Sequence, residues 1–286
     1  MAEIDLHLHT TRSDGTLTPA ELVQMCAERG LRIISITDHD STEGLSEAFE
    51  AASSFPQLTI IPGIELSTDI PGNEIHVLGY FVDYENPDFQ VVLERFREGR
   101  ENRGRKMVEK LNELGVNISW ARVQEISDGG SIGRPHIAQA MVEDGYVQYP
   151  KDAFDQYLGR NGVAYVDRLK LTPAEAVQIL IDNGALPVMA HPTYSASKSG
   201  MDEVDSLDET IEELKEAGLV GMEVYYKDYT PEQTERLAAL ADKLGLIPCG
   251  GTDYHASGNP GEPEPGSVGP PMETIEALKS LKKARV

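Results

Sequence analysis

The chain predicts an α/β barrel interrupted by a helical insertion, and three observations carry that expectation. Short apolar runs of strand length alternate with amphipathic helical stretches, the β-α-β order of a largely parallel sheet with right-handed crossovers. Three helix starts share one signature: Thr18-Pro19-Ala20-Glu21, Thr172-Pro173-Ala174-Glu175 and Thr230-Pro231-Glu232-Gln233 each place an N-cap threonine before a proline and a Glu or Gln that can close a capping box. At 286 residues the chain exceeds an ordinary domain but suits one barrel with room for an insertion.

Strands are expected near residues 3–9, 32–37, 58–66, 75–82, 186–190, 219–225 and 246–251. Gly30, Gly184 and Gly245 stand where helices should stop, each shortly before the next apolar run. The alternation breaks in the middle of the chain. A charged helix over 88–114 leads into helical pieces near 120–126, 135–144 and 151–158 with no convincing strand. The expected division is therefore a first part of the barrel over 1–94, a helical insertion over 95–167 and a second part over 168–286. Gly and Pro crowd residues 257–271, which read as a loop crossing near the site before a last helix.

The ends of the apolar runs carry the chemistry. His7 and His9 in Asp5-Leu6-His7-Leu8-His9 are two apart on a strand, so both imidazoles project from one side and can meet one metal ion. Similar settings hold Asp14 in Ser13-Asp14-Gly15, His39 after Ile33–Asp38, Glu65 after Ile60–Ile64, His76 in Ile75-His76-Val77-Leu78 and His191 after Leu186–Ala190. Asp253 and His255 follow the run that ends at Gly251. A lone histidine is more often a hydrogen-bonded structural residue than a ligand. Two pairs of His-x-His or Asp-x-His type, with carboxylates in the same settings, point instead to a polynuclear metal site built from the tips of many strands. In parallel barrels functional residues come from the carboxyl ends of strands, where these fall.

Composition narrows the function classes. Forty-eight acidic residues against 25 basic leave a formal charge of −23, which repels polyanions and argues against tight non-specific binding to duplex DNA or an anionic membrane. No apolar run approaches a membrane span. Cys26 and Cys249 are far apart in apolar surroundings and no signal peptide precedes the first strand, so a reduced, cytoplasmic setting is expected. Inside the insertion, Ser131-Ile132-Gly133-Arg134-Pro135-His136 turns into a helix start, where free N–H groups and an arginine fork suit phosphate. An ordinary helix start is the plain alternative. Acidic residues interleave Arg95, Arg97, Arg100, Arg103, Arg105 and Lys106 at helical spacing, which reads as a solvated face.

Asp5-Leu6-His7-Leu8-His9, Ser13-Asp14-Gly15, Thr37-Asp38-His39-Asp40, Gly63-Ile64-Glu65, His76, Ala190-His191-Pro192 and Gly251-Thr252-Asp253-Tyr254-His255 together resemble the polymerase and histidinol phosphatase (PHP) superfamily of metal-dependent phosphoesterases. Asp14, the stand-alone length and the Ser-Ile-Gly-Arg-Pro-His insertion look most like the 3′,5′-nucleotide bisphosphate phosphatases, related to 5′-3′ exoribonucleases acting on short RNA. The histidinol phosphatase branch usually has histidine where this chain has Asp14, which lowers that reading. The resemblance implies a distorted (β/α)7 barrel holding two to three divalent ions of Mn, Fe or Zn. One would sit on His7, His9, Glu65 and Asp253, a second on Glu65, His76 and His191, and a third on Asp14, His39 and His255.

Such ions lower the pKa of bound water from about 15.7 toward neutrality, supplying hydroxide to attack phosphorus. The expected activity is release of the 3′-phosphate from nucleoside 3′,5′-bisphosphates. The alternatives are 5′-3′ exonuclease action on short 5′-phosphorylated RNA, or histidinol phosphate hydrolysis. No side chain is assigned as general acid. By the same resemblance Arg134 and His136 would contact substrate phosphate. Arg12, beside the Asp14 loop, is a further candidate, as are Arg160 and Lys227, with a surface cation the alternative for each. Tyr225 or Tyr226 could stack on a base, core packing being the alternative for one of them. The expected partner is a small nucleotide or short oligonucleotide, with no duplex DNA and no membrane.

Overall fold

The computed structural model describes residues 2–70, 73–167, 171–192 and 204–285. Among them seven strands form one sheet in chain order: β1 Ile4–Leu8, β2 Ile33–Ile36, β3 Thr59–Ile70, β4 Asn73–Tyr80, β5 Leu186–Met189, β6 Gly221–Tyr226 and β7 Ile247–Gly251. The last strand returns to the first. Asp253 N–H donates to the His7 carbonyl at 2.8 Å and His9 N–H to the Tyr254 carbonyl at 2.9 Å, so the sheet is a nearly closed barrel. Gly251 makes the seam possible, since a Cβ there would stand 2.5 Å from the His7 nitrogen.

The sheet is largely parallel, as expected, with one strand reversed. β1/β2, β2/β3, β5/β6 and β6/β7 are parallel, but β4 runs antiparallel to both β3 and β5. The cause is the length of the connection. Only two residues separate Ile70 from Asn73, and so short a link joins antiparallel strands alone, whereas a parallel partner needs a crossover. Both strands also run beyond their expected ends toward that link, β3 to Ile70 and β4 from Asn73.

The helices on the barrel's outside begin as their caps predict. In α1 Pro19–Glu28, α7 Pro173–Asp182 and α9 Pro231–Leu244, the N-cap threonine and the third helical residue bond reciprocally. Gly30, Gly184 and Gly245 follow with φ of 82°, 79° and 64°, a conformation that costs glycine least. These helices, with α2 Leu45–Ala52 and α8 Val204–Glu216, cover the outer face of the sheet. Leu22, Val23 and Cys26 meet Ile34 and Ile36, and Val177 and Leu180 meet Ile64, Leu66 and Val77 in one apolar cluster. A second cluster fills the barrel with Ile4, Leu6, Ile61, Leu78, Tyr80 and Val188, joined by Ile275 and Leu278 of α10 Met272–Ala284. Apolar packing thus occupies the inside up to Leu6. Buried polar residues take over from His7 upward.

Between β4 and α7 the chain is helical: α3 Pro87–Glu113, α4 Trp120–Ser127, α5 Arg134–Glu143, α6 Pro150–Ala153 and a π turn at Phe154–Leu158. Met107, Val108, Leu111, Val123, Ile137, Met141 and Leu158 build a separate core there. The expected boundary between 94 and 95 falls inside α3, one helix that gives Phe89 and Leu93 to the barrel and Met107 to the second core. Its charged run is not all solvated, as had been expected: Arg100 and Arg103 are each only 7 % exposed. A 27-residue helix spanning two cores buries a face that mixed charge alone does not reveal.

Candidate metal centre

The nine candidate ligands meet at the upper rim. His7 lies on β1 and His9 just beyond it, and Asp14 comes from the loop before α1. His39 follows β2 and pairs with Glu65, which sits within β3 because that strand continues past the rim. His76 lies opposite Ser67 near the start of β4, and the reversed direction of β4 is what brings its first half to this end. His191 follows β5 with φ 25°, and Asp253 follows β7 with φ 51°. Asp40 beside them has φ 53°. Three non-glycine residues in the left-handed region at one rim mark backbone held there by its surroundings.

Glu65 is the hub. Its Oε2 lies 3.2 Å from His7 Nε2, 3.3 Å from His9 Nε2 and 3.1 Å from His39 Nδ1. Its Oε1 lies 2.9 Å from His76 Nδ1 and 3.2 Å from His191 Nε2. Asp253 Oδ1 is 3.3 Å from His7 Nε2 and 3.1 Å from His9 Nε2. Asp14 forms the other pole, with Oδ1 3.3 Å from His255 Nε2 and Oδ2 3.7 Å from His39 Nε2. Three donor groups result: His7, His9, Glu65 and Asp253; His39, Glu65 and His76; and His9, Asp14, His39 and His255. His9 and His39 each belong to two groups, which places them more centrally than the one-ion-each division of the sequence reading. His191 joins through Glu65.

Four buried atoms, His7 Nε2, His9 Nε2, Asp14 Oδ1 and Glu65 Oε2, find no hydrogen-bond partner among the described residues. Converging nitrogens and carboxylate oxygens left this way fit divalent ions, and nitrogen and oxygen donors without thiolate suit Mn, Fe or Zn. Electrostatics agree. Burial pushes the Glu65 carboxyl up, but His39, His7 and His76 outweigh it and hold it well below the usual range. Asp14 is likewise raised by burial and held low by His39 and His255. Burial lowers His9, while Asp253 and Glu65 bring it up to about 9.

The PHP domain family model matches residues 5–157. The chain belongs to the PHP family. It is 33% identical over 253 residues to the 5′-3′ exoribonuclease Rnm of Salmonella typhimurium, covering 88% of this chain and 84% of that one. It is 31% identical over 263 residues to the 3′,5′-nucleoside bisphosphate phosphatase of Chromobacterium violaceum, covering 91% and 90%. A crystal structure from Bifidobacterium adolescentis, described as a metal-dependent phosphoesterase, superposes with a TM-score of 0.87 at 29% identity over 97% of this chain and 95% of that one. Family and relatives make this PHP protein a phosphoric ester hydrolase.

Around the PHP centre stand residues that the sequence reading passed over. Asp38 accepts from Thr10 N–H at 2.7 Å, Thr10 Oγ1 at 2.6 Å and Ser13 Oγ at 2.7 Å, which shapes the loop carrying Asp14. Its place beside His39 was the available signal. Asp5 accepts from Thr252 N–H at 3.0 Å and Thr252 Oγ1 at 2.7 Å, pinning the Asp253 loop to β1, and burial lifts its pKa to about 6. Arg100 of α3 bonds Asp40 through Nε and Ser67 Oγ through Nη2 at 2.6 Å. No local pattern marks it, because a helix 60 residues further on supplies the cation.

The expected substrate contacts are placed as follows. α5 begins against the centre: a Cβ on its N-cap Gly133 would stand 3.5 Å from both Asp14 Oδ2 and Arg100 Nη1. Arg134, the first residue of α5, bonds Glu74 at 2.6 Å and lies 5.5 Å over the Phe154 ring. His136 is buried, its Nδ1 accepting from Gly133 N–H at 2.9 Å and its ring bonding the Ser13 backbone. Arg12 pairs with Glu47 at 3.2 Å and Arg160 with Asp69 at 3.4 Å. Lys227 bonds the Asp253 carbonyl at 3.1 Å and Tyr226 donates to Asp253 Oδ2 at 2.8 Å, while Tyr225 packs in the outer core.

Proposed function

We propose that this PHP protein releases the 3′-phosphate from nucleoside 3′,5′-bisphosphates, with two to three Mn, Fe or Zn ions held by His7, His9, Asp14, His39, Glu65, His76, His191, Asp253 and His255. The observation that carries the reading is the start of α5 against the centre, where the N-cap Gly133 abuts Asp14 and Arg100 and Arg134 follows as the first helical residue. A bisphosphate needs such a second cationic point in addition to the one where its ester is cut. Bound there, the ions would act as Lewis acids and bring water to hydroxide at neutral pH. The chain's own residues do the rest. Arg134 and the α5 start hold the remote phosphate, with His136 bracing the Gly133 turn against the Asp14 loop. Tyr226 and Lys227 hold Asp253, and Asp38 holds the Asp14 loop, so the donors are set before substrate arrives. Glu74, which bonds Arg134 at 2.6 Å, is the anion that a substrate phosphate displaces or shares.

A second reading, 5′-3′ exonuclease action on short 5′-phosphorylated RNA, is favoured by the Salmonella relative, whose name is that of an exoribonuclease. It uses the same chemistry on a diester. Arg100, Arg103, Arg134 and Arg160 each already face a carboxylate, and the chain carries −23, which supports a small substrate over a long strand.

Phosphate release by Mn²⁺-loaded protein from adenosine 3′,5′-bisphosphate, AMP, 3′-AMP, histidinol phosphate and a 5′-phosphorylated RNA trinucleotide tests both. Preference for the bisphosphate, giving AMP and phosphate, supports the first reading. Mononucleotide release from the trinucleotide as the dominant activity moves the function to RNA, and hydrolysis of histidinol phosphate alone overturns both.

A further inference from the structure

Among the described residues β6 contributes no candidate ligand, yet its Glu223 is completely buried. The pairing of β6 with β7 slips between Glu223 and Tyr225, which oppose the consecutive residues Cys249 and Gly250. Such a bulge re-aims the side chains that follow it. Met222, Val224 and Tyr225 pack in the outer core, whereas Glu223 and Tyr226, three apart, both reach the donor groups. Glu223 Oε1 lies 3.1 Å from His7 Nδ1, and its Oε2 accepts from the His191 backbone N–H at 2.7 Å.

We infer that Glu223 is a positioning residue of the centre, fixing the tautomer of His7 and holding the backbone of His191. Glu223 Oε1 faces His7 Nδ1 while Nε2 faces Glu65 and Asp253, so with an ion on Nε2 the remaining ring proton would sit on Nδ1, held by Glu223. The other oxygen holds His191 at φ 25°, a conformation its side chain does not favour. One carboxylate thereby ties together two histidines that reach Glu65 on different oxygens. The inference rests on the reading of these histidines as ion ligands.

Glu223→Gln tests it, because the amide keeps the volume but offers one acceptor oxygen for two donors. Metal-free wild type and variant are titrated with Mn²⁺ by calorimetry, and their unfolding is followed without metal. The variant is expected to bind at least one ion about 10- to 100-fold more weakly while another keeps its affinity, because outer partners tune only the ligands they touch. Unchanged affinities overturn the inference, as does equal weakening of all ions in step with lost stability. If the variant does not fold, ¹⁵N NMR of Zn²⁺-loaded wild type decides: a proton on His7 Nδ1 supports the inference, and one on Nε2 overturns it. A wild type that binds no divalent ion would instead defeat the metal reading, and this inference with it.

Discussion

Glu65 shows how one side chain organises a site, since its two oxygens lie within 3.3 Å of five imidazoles. Its neighbours divide the remaining work between Asp253 and Asp14. His39→Ala or Asp253→Asn should therefore lower turnover by several orders of magnitude in steady-state assays, and near-normal turnover in either would remove that residue from the ligand set. Arg134 is proposed for another part of the reaction. Arg134→Ala should cost a bisphosphate about 1.5–3 kcal/mol, roughly 10- to 150-fold in kcat/KM, by loss of a charged hydrogen bond. An aryl phosphate, which has no second phosphate, should be nearly unaffected, and equal losses on both would put Arg134 at the reacting phosphorus. At this scale the convergence of the candidate ligands His7 and His9 was readable because a strand alternates its faces, so their spacing sets both on one side. Arg100 was not readable, since its partners Asp40 and Ser67 lie on other elements and its burial depends on how α3 crosses the barrel.

Elements were legible where their signals are local. Reciprocal caps at Thr18, Thr172 and Thr230 and left-handed glycines at 30, 184 and 245 formed as their sequences imply. Thr172→Ala should cost about 1 kcal/mol in denaturant unfolding and leave kcat unchanged, because the Thr172 cap bonds Glu175 and no candidate ligand among the described residues. Gly251→Ala should behave differently. Its new Cβ would press on the His7 nitrogen across the β7/β1 seam, costing about 1–3 kcal/mol and disturbing the ligand on the opposite strand. Unchanged stability and unchanged metal affinity together would show that the seam opens easily. The reversal of β4 is not legible because the apolar runs near 58–66 and 75–82 leave a longer gap than the two-residue link between Ile70 and Asn73, and the bulge in β6 has no local mark at all.

For the whole molecule, the centre couples charge to metal. Without ions, Asp253 and Glu65 keep His9 protonated up to about pH 9 against the opposing pull of burial, while an ion needs the neutral ring. Apparent Mn²⁺ affinity should therefore rise with pH, at least tenfold per unit below about 9 because His7 in the same donor group is also held above the usual range, with protons released on binding. A flat profile would argue that His9 is not a ligand. Removing metal should also lower the unfolding temperature, since ions bound only by the folded barrel stabilise it by mass action. The sequence by itself determined the class of fold and the helix starts at Thr18, Thr172 and Thr230, because each follows from spacing along one strand or one helix turn. Only the tertiary structure decided that β4 is reversed so that His76 reaches the rim, that His9 and His39 are shared between donor groups, and that Arg100 and Glu223 are buried beside them. Those facts depend on which elements meet, and closing the barrel brings together residues as distant in sequence as His7 and Asp253.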